Sequence, residues 1–461
     1  MQKTKSVSIF GLGKLGASTL AVYASKGYKI IGVDINQNNV NAINEGRSPV
    51  YEPGVDFLIK THKENISATT NAKEAVLNSD LSFLIMPTPS TKNGSFSTSY
   101  VESAIRSIGN ALKNKTSHHT IVLVSTVCPG STSDLIEILE DVSGKECNED
   151  FSFVFSPDFI ALGQIIHDIL YPDMILVGES DGKAGDIFET FMRSIIGNNN
   201  NIPIHRMSIH NAELCKIAIN SYLVMKINFA NVISEICENM PTGDASKVLG
   251  AVGSDTRINS KYLRPGLASS GCCLPRDSRA FKYASEKFNV TNTYSEVSDT
   301  INNYQKSVRI PNLIINELNR SGSSVVSILG ITYKPDVSVT EESVPIEVAK
   351  QLSKLGYQVK IYDPAGMIMA KKDLQGFSGI HFCDNTKECL TGSKFCFVAT
   401  AWNEFKTLKE EDFLESMDEN PVVFDAWGIL GDLEFSEKII YMQLGKSMDN
   451  ITTLLPFLQT V

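Results

Sequence analysis

The chain has 461 residues, and a length of about 100–200 residues per domain predicts two or three domains. Hydrophobic residues make up 42% and charged residues 20%, which is typical of globular domains and excludes long disordered tracts. The net charge of −10 argues against nucleic acid as a partner but is compatible with an anionic small ligand, because local backbone N–H groups bind phosphate whatever the global charge.

The N-terminus and the cysteines suggest where the protein works. Residues 1–9 pass from polar residues into a short apolar strand, which does not fit a signal peptide. No apolar run approaches the ~18 residues needed to cross a bilayer, so we expect no membrane partner. The nine cysteines lack C-x-x-C or Cys/His spacing, so we expect no disulfide framework, no metal and a cytoplasmic location.

The first predicted unit is strand, glycine turn and helix. Ser6 to Phe10 reads as a strand, Gly11-Leu12-Gly13-Lys14-Leu15-Gly16 as the turn, and residues 17–26 as the helix. Such a turn brings backbone N–H groups close to a pyrophosphate. A second strand, 28–33, ends at Asp34, where a carboxylate binds ribose hydroxyls and favours NAD over NADP. Alternatively, Asp34 caps the next helix.

Further strands are predicted at 81–86, 121–125 and 151–155. Thr88, Ser125 and Thr126 follow two of them and are candidate ligand contacts, because open α/β sheets bind ligands at the carboxyl ends of their strands. The alternative is that these hydroxyl residues only form turns. The third strand leads into Ser156-Pro157-Asp158-Phe159-Ile160. We place the end of the first domain near residue 200, at Gly197 and the asparagine run 198–201.

Residues 210–240 contain neither glycine nor proline and predict one long helix that serves as a spine between domains or across a dimer interface. Lys216 and Asn220, four residues apart, share one face. A helical lysine is usually solvated; if the pair faces a reacting centre, it supplies a cation and an amide donor for an oxyanion.

The segment after this helix contains several basic residues and leads to two adjacent cysteines. Arg257, Lys261, Tyr262 and Arg264 precede the sequence Ser269-Ser270-Gly271-Cys272-Cys273-Leu274-Pro275-Arg276-Asp277. A thiolate is a strong nucleophile, although free cysteine is also often simply buried.

The last third repeats the first pattern weakly. Strands are predicted at 325–329, 358–362, 395–400 and 422–425, with a helix around 343–354. The glycine fingerprint is incomplete, and Tyr333-Lys334-Pro335 offers a lysine instead.

Together these motifs resemble the UDP-glucose/GDP-mannose dehydrogenase family over about residues 7–430. The matching residues are Gly11, Gly13 and Gly16 with Asp34, Glu52-Pro53-Gly54, Pro87-Thr88-Pro89, Ser125-Thr126, Pro157-Asp158-Phe159, Glu213-Leu214, Lys216, Asn220, Gly271, Cys273, Asp277 and Tyr333-Lys334-Pro335-Asp336.

The resemblance implies an α/β fold with two Rossmann-like, doubly wound domains joined by a long central helix and a helical dimerisation domain. Residues 1–200 would bind NAD, 201–310 would form the central domain with the cysteine loop, and 311–461 would bind the nucleotide sugar. The protein would be a homodimer or a larger homo-oligomer.

It also implies an NAD-dependent, four-electron oxidation of a nucleotide sugar, a UDP-hexose by preference, to the uronic acid. Cys273 would form a thiohemiacetal and then a thioester, Lys216 and Asn220 would hold the oxyanion, Asp277 and Thr126 would place water, and Asp158 would stand where the family has a glutamate acting as acid/base. The implied cofactor contacts are Gly11, Leu12, Gly13, Lys14, Leu15, Gly16, Asp34, Thr88, Ser125 and Thr126. The implied substrate contacts are Phe159, Ile160, Lys216, Asn220, Arg257, Tyr262, Leu263, Arg264, Gly271, Tyr333 and Lys334.

Two alternatives stay open. A two-electron hydroxyacid dehydrogenase also joins a Rossmann domain to helices, but it requires no cysteine. A non-catalytic or altered-specificity binding protein is suggested by departures from the family pattern at Asp158, Leu162, Cys272, Glu341 and Gly428.

Overall fold

The computed structural model describes residues 6–197 and 201–447. The chain divides into two compact units. The first comprises the residues up to Ile219 together with Ala280–Val290, and the second comprises Asn220–Arg279 and the residues from Thr291 onward. The predicted domain boundary near residue 200 falls on residues 198–200, which lie outside the described residues.

An eight-stranded sheet forms the centre of the first unit, among its described residues, in the order β3-β2-β1-β4-β5-β6-β7-β8. Neighbouring strands are parallel, except that β6 and β7 are antiparallel. The order reverses between β1 and β4, which is where doubly wound sheets bind ligands. The strands are β1 Ser6–Phe10, β2 Lys29–Val33, β3 Ile66–Thr69, β4 Leu81–Leu84, β5 His119–Leu123, β6 Phe151–Phe155, β7 Ile175–Glu179 and β8 Ile204–Ser208.

Both faces of this sheet are covered because its strands are apolar on both sides. Val7 and Ile9 of β1 belong to one buried cluster and Phe10 to another, and Phe83 and Leu84 of β4 divide in the same way. The helices are α1 Lys14–Ser25, α2 Gln37–Asn44, α3 Val55–Thr61, α4 Ala72–Leu77, α5 Ser99–Leu112, α6 Ser131–Ser143, α7 Ile165–Leu170 and α8 Gly182–Ile196, with a 3₁₀ turn at Lys63–Asn65.

The division between the units falls within two helices, α9 Ile209–Glu238 after Ile219 and α11 Leu274–Lys287 after Arg279. The second unit also contains α10 Ala245–Ser254, α12 Thr293–Tyr304, a π-helical segment Gln305–Arg309 and α13 Ile310–Ser321.

A parallel six-stranded sheet forms the rest of the second unit, in the order β11-β10-β9-β12-β13-β14 among its described residues. Its strands are β9 Val325–Leu329, β10 Gln358–Tyr362, β11 Ile380–Phe382, β12 Phe395–Val398, β13 Val422–Asp425 and β14 Ile440–Gln443. Its helices are α14 Val344–Lys354, α15 Met367–Asp373, α16 Thr386–Leu390 and α17 Glu410–Ser416, with a 3₁₀ turn at Phe405–Thr407.

The predicted α/β fold class is confirmed: one mostly parallel sheet and one parallel sheet, both packed with helices, are accompanied by one long helix. The predicted strands β1, β6, β9, β10 and β13 agree with the structure in their bounds, whereas β4 and β12 end two residues earlier than predicted and β5 lies two residues closer to the N-terminus. Helix α1 begins at Lys14, three residues before its predicted start. The short strands β3, β7, β8, β11 and β14 were not predicted.

Candidate active site

The glycine turn between β1 and α1 is shaped by close backbone contacts. Gly11 has φ +93°, and a Cβ there would lie 2.1 Å from the carbonyl oxygen of Ile85. A Cβ on Gly16 would lie 1.8 Å from the carbonyl oxygen of Gly11. Only glycine fits at these two positions.

Gly13, by contrast, faces open space. It is the N-cap of α1, and a Cβ there would meet nothing within 4 Å. The first turn of α1, which begins with Lys14 and the half-buried Leu15, carries no acidic residue. The helix N-terminus is therefore open to an anion, which fits the pyrophosphate of NAD.

Asp34 is half-buried directly after β2. Its carboxylate accepts hydrogen bonds from N–H of Leu12 at 2.8 Å, N–H of Asn36 at 2.8 Å and Nδ2 of Asn39 at 3.2 Å. Asn36, not Asp34, caps α2 through its side chain, so the helix-cap alternative does not hold. The carboxylate lies against the glycine turn, where an acceptor for ribose hydroxyls is expected.

Thr88 and Ser125 link the ends of β4 and β5. Thr88 Oγ1 donates to the carbonyl oxygen of Thr126 at 2.7 Å, and Ser125 Oγ bonds to both N–H and C=O of Met86 at 2.9 and 2.8 Å. Both side chains are buried, and Thr126 is half-buried. The first two hydroxyls therefore organise the sheet edge, and their contact with a ligand stays a prediction.

The loop after β6 carries Asp158, Phe159 and Ile160, and two carboxylates hold it. Oε1 of buried Glu52 accepts from N–H of Gly163 at 2.7 Å, and Oδ2 of Asp168 accepts from N–H of Ala161 at 2.8 Å. The sequence pattern around Glu52 matched the family but did not predict this role.

Lys216 is buried, and it contacts the main chain of that loop. Its Nζ donates to the carbonyl oxygen of Asp158 at 2.6 Å and lies 4.2 Å from the ring centroid of Phe159. Burial raises the pKa of the Asp158 carboxyl to about 6, although Lys216 acts in the opposite direction. The solvated-lysine alternative is wrong here, and Asp158 can exchange a proton near neutral pH.

Glu213 lies one helical turn before Lys216 and was not given a role from the sequence. It is fully buried, and its two carboxylate oxygens accept from N–H of Gly130 at 2.7 Å and N–H of Thr132 at 2.8 Å, at the start of α6. Burial raises the pKa of this carboxyl. Glu213 thus fixes α9 to the segment that follows Thr126.

In the second unit, Asn220 and Asp277 are buried together. Asn220 Nδ2 donates to Oδ2 of Asp277 at 2.6 Å, and Nε of Arg276 lies 3.3 Å from the other carboxylate oxygen. This bond joins α9 to the first turn of α11.

Cys273 is exposed immediately before α11, and its carbonyl oxygen accepts from N–H of Asp277 at 3.0 Å. The Sγ atoms of Cys272 and Cys273 are 3.5 Å apart. Gly271, at φ +84°, packs against the Tyr333 ring, which a Cβ would approach to 2.8 Å. The Cys273 thiol is therefore accessible at the N-terminus of α11.

The cationic segment before the cysteines makes contacts of its own, and three of its predicted site residues, Arg257, Tyr262 and Arg264, are exposed. Arg257 is paired with Asp255, with Nη2–Oδ2 2.6 Å and Nε–Oδ1 3.0 Å. Leu263 is buried in a small apolar cluster, so its side chain is core. Arg264 is exposed, with Cζ 5.2 Å from the Trp427 ring, and Tyr262 is exposed at φ +67°.

Within the second unit, Glu341 binds the cysteine loop and Glu342 binds the helix that follows it. N–H of Gly271 donates to the carbonyl oxygen of Glu341 at 3.0 Å, and Glu342 accepts from Arg279 at 2.7 Å and from Lys306. Tyr333 and Lys334 are half-buried beside each other, with Nζ 5.8 Å from the ring centroid. Burial, with the two cysteines, raises the pKa of Tyr333.

The glycine turn after β9 and the aspartate after β10 resemble those after β1 and β2. The surroundings of the aspartate differ. Gly330 has φ +93° like Gly11, and Asp363 accepts from N–H of Ile331 at 2.8 Å as Asp34 does from Leu12. Asp363, however, is fully buried and also accepts from Thr332, Ala365, Gly366 and Trp402. It has no capacity left for a ribose.

Within residues 6–197 and 201–447, no group of three or more His, Cys, Asp or Glu side chains is arranged to hold a metal ion. Within the same ranges, no helix has both the length and the apolar character needed to cross a membrane.

Comparison with protein families gives three matches in chain order. Residues 5–196 match the NAD binding domain of the UDP-glucose/GDP-mannose dehydrogenase family, residues 210–304 its central domain and residues 327–432 its UDP binding domain.

Individual relatives cover most of the chain. The chain is 35% identical to the GDP-mannose 6-dehydrogenase of Pseudomonas aeruginosa over 77% of its own length and 80% of the relative's. It is 30% identical to a UDP-glucose 6-dehydrogenase of Haloferax volcanii, over 88% and 93%. A UDP-glucose dehydrogenase structure from Pyrobaculum islandicum superposes with a TM-score of 0.84 at 28% identity, covering 96% and 98%.

Proposed function

This chain belongs to the UDP-glucose/GDP-mannose dehydrogenase family, and we propose that it oxidises the primary alcohol of a UDP-hexose to the uronic acid in two NAD-dependent steps through Cys273. The observation that carries the proposal is the exposed Cys273 thiol at the start of α11, four residues before the buried Asn220–Asp277 pair. A two-electron dehydrogenase has no use for such a thiol.

The cofactor of the family domain is NAD, and the turn from Gly11 to Gly16 with Asp34 fits it. These residues would hold the pyrophosphate and a ribose. Bound NAD supplies the hydride acceptor for both oxidations.

In the first oxidation, Asp158 is proposed to accept the proton of the substrate's primary alcohol. A general base works best when its pKa lies near the working pH, and burial raises the pKa of Asp158 to about 6. The bond from Lys216 to the Asp158 carbonyl supports this role because it restrains the loop backbone.

In the second oxidation, the Cys273 thiolate adds to the aldehyde carbon and gives a thiohemiacetal. A tetrahedral adduct is required because an aldehyde cannot itself donate a hydride to form an acyl group. Loss of that hydride leaves a thioester, and water then attacks its carbonyl, supplies the second carboxylate oxygen and releases the Cys273 thiol.

Lys216 and Asn220 are proposed to stabilise the oxyanions of these adducts. They lie one turn apart on α9, and both are buried, so their positive charge and amide donor act in a low dielectric. Asp277 and Thr126 are proposed to place the hydrolytic water. Asn220 supports the role of Asp277, since it fixes one carboxylate oxygen.

The nucleotide sugar is proposed to be a UDP-hexose. The C-terminal match is to a UDP binding domain, and the UDP-glucose dehydrogenase structure covers nearly the whole chain. GDP-mannose is the second candidate, because the relative with 35% identity carries that activity in its name. The proposed substrate contacts are Phe159, Ile160, Lys216, Asn220, Arg257, Tyr262, Leu263, Arg264, Gly271, Tyr333 and Lys334.

The protein is also proposed to form a homodimer through α9. Tyr222, Phe229, Val232 and Ile236 are exposed by 56, 49, 37 and 50%, and their spacing places them in one stripe of the helix. An exposed apolar stripe of this kind marks an association surface.

A substrate panel tests the proposed function. UDP-glucose, UDP-N-acetylhexosamines, GDP-mannose and TDP-glucose are supplied with NAD, NADH is followed by absorbance, and the product is weighed by mass spectrometry. We expect two NADH and one uronic acid per UDP-hexose. Turnover of GDP-mannose alone would replace the sugar assignment, one NADH per sugar would favour the two-electron alternative, and binding without NADH would favour a non-catalytic protein.

A further inference from the structure

We propose that Cys272 and Cys273 form a reversible oxidation site, in which a hydroperoxide joins the two adjacent thiols in a disulfide and withdraws Cys273 from catalysis. Formation of the disulfide is independent of the proposed function, and only its effect on turnover rests on it. Nothing in the proposed reaction uses Cys272.

The two sulfur atoms are already close. Their separation of 3.5 Å must shrink to the S–S bond length of about 2.05 Å. This requires rotation of two short side chains and an adjustment of the main chain between them. The residues lie in an irregular segment between Gly271 and the start of α11, and the carbonyl oxygen of Cys273 accepts from N–H of Asp277 at 3.0 Å.

The two thiols differ in environment, which assigns their roles. Cys273 is exposed, whereas Cys272 is half-buried. The neighbouring Cys273, burial and the carboxylate of Glu341 all raise the pKa of the Cys272 thiol. Cys273 is therefore the sulfur that a peroxide reaches first, and Cys272 is the partner that closes the disulfide.

The chemistry balances with one hydroperoxide. The Cys273 thiolate attacks the peroxide, its sulfur is oxidised to the sulfenic acid, and hydroxide leaves and takes up a proton to form water. The Cys272 sulfur then displaces the sulfenic oxygen, which leaves as a second water, and the S–S bond forms. Two thiols and one hydrogen peroxide give one disulfide and two waters.

Such a disulfide should be easy to reduce. Neighbouring Cα atoms are about 3.8 Å apart across a trans peptide, whereas ordinary disulfides span about 4.4–6.8 Å. The small ring that a disulfide closes between neighbouring residues is therefore strained, and strained disulfides are reduced more easily. Its formation would also protect Cys273, because a lone sulfenic acid proceeds to the irreversible sulfinic acid.

One other close cysteine pair serves as an internal reference. Cys383 and Cys389 interact directly, and both are buried. Since burial denies them peroxide, they should stay reduced under conditions that oxidise the exposed pair.

Peptide mapping tests the site without any activity measurement. Trypsin releases residues 262–276 as one peptide, whose cysteines are Cys272 and Cys273. The full chain is treated with hydrogen peroxide, blocked with iodoacetamide and digested. We expect this peptide to lose about 2 Da, the mass of two hydrogen atoms, to resist alkylation and to regain both alkylation sites after dithiothreitol.

Variants separate a resolving cysteine from simple overoxidation. Activity is expressed relative to each variant's own untreated rate. Wild type should recover most of its activity with dithiothreitol, whereas Cys272→Ala and Cys272→Ser should be inactivated irreversibly with Cys273 as sulfinic acid. Cys147→Ala, which removes a half-exposed thiol, is the matched control and should behave as wild type.

Two results would overturn the proposal: a 262–276 peptide of wild type that carries sulfinic acid and no disulfide, or Cys272 variants that recover as wild type does. If the protein proves to lack dehydrogenase activity, the peptide result still decides on the disulfide, so the two failures are distinguishable.

Discussion

Nδ2 of Asn220 lies 2.6 Å from Oδ2 of Asp277, and both side chains are buried. One hydrogen bond thus connects the proposed oxyanion donor on α9 with the proposed water-binding carboxylate on α11. Because it joins two groups with different roles, loss of Asn220 should affect both adduct stabilisation and hydrolysis.

We expect Asn220→Ala to lower kcat roughly 100-fold, the usual effect of removing one oxyanion donor. Asn228→Ala is the matched control: Asn228 lies on the same helix, is buried and donates to the carbonyl oxygen of Ser298 at 2.9 Å. Both variants should lose stability by about 1–3 kcal/mol, but only the first should lose turnover. Equal kcat values for the two variants would remove Asn220 from the mechanism.

Asp34 should set the preference for NAD. Asp34→Ala removes an acceptor near the ribose and also the bond to N–H of Leu12, so KM for NAD should rise on the order of 10-fold or more. The preference for NAD over NADP should shrink, since the carboxylate no longer repels a 2′-phosphate. Initial rates with each cofactor measure this, and KM for the nucleotide sugar is the internal reference. If the ratio of the rates with NAD and NADP stayed as in wild type, Asp34 would not be the residue that sets the preference.

Asp158 should produce a pH dependence of activity. Below a pKa of about 6 the carboxyl is protonated and cannot accept the alcohol proton, so kcat/KM should fall as the pH drops through 6. Asp158→Glu, one methylene longer, should keep this dependence, and Asp158→Asn should lose it together with most of the activity. If the acidic limb persisted in Asp158→Asn, another group would be the base.

The exposed stripe on α9 should control oligomeric state. Phe229 is 49% exposed, and Phe229→Glu places a charge on the proposed contact. Light scattering should report a dimer for wild type and a monomer for this variant, while Leu355→Glu, at an exposed position after α14, should leave the dimer intact. A monomeric wild type would exclude the proposed interface.

Local features of the fold could be predicted from the sequence because neighbouring residues determine them. The glycine turn, Asp34 at the end of β2 and the long α9 depend on short-range patterns, and they agree with the structure. The short strands β3 and β8 were not predicted, since their partly exposed residues show weak alternation.

Contacts between distant residues could not be predicted. The bond from Lys216 to the Asp158 carbonyl spans 58 residues, and that from Glu213 to Gly130 spans 83. Similarly, the sequence of the second sheet did not show that Asp363 is saturated by its own domain. In these cases the residue type suggested a role, and only the fold showed the partner.

The central claim is that Cys273 carries the sugar as a covalent intermediate. It is tested most directly by acid-quenching the enzyme during turnover and weighing the peptide of residues 262–276, with uronic acid formation measured in parallel. We expect a sugar-nucleotide adduct on this peptide in wild type and in Cys272→Ala, and neither adduct nor acid in Cys273→Ala. Acid formation by Cys273→Ala at the wild-type rate would contradict the mechanism.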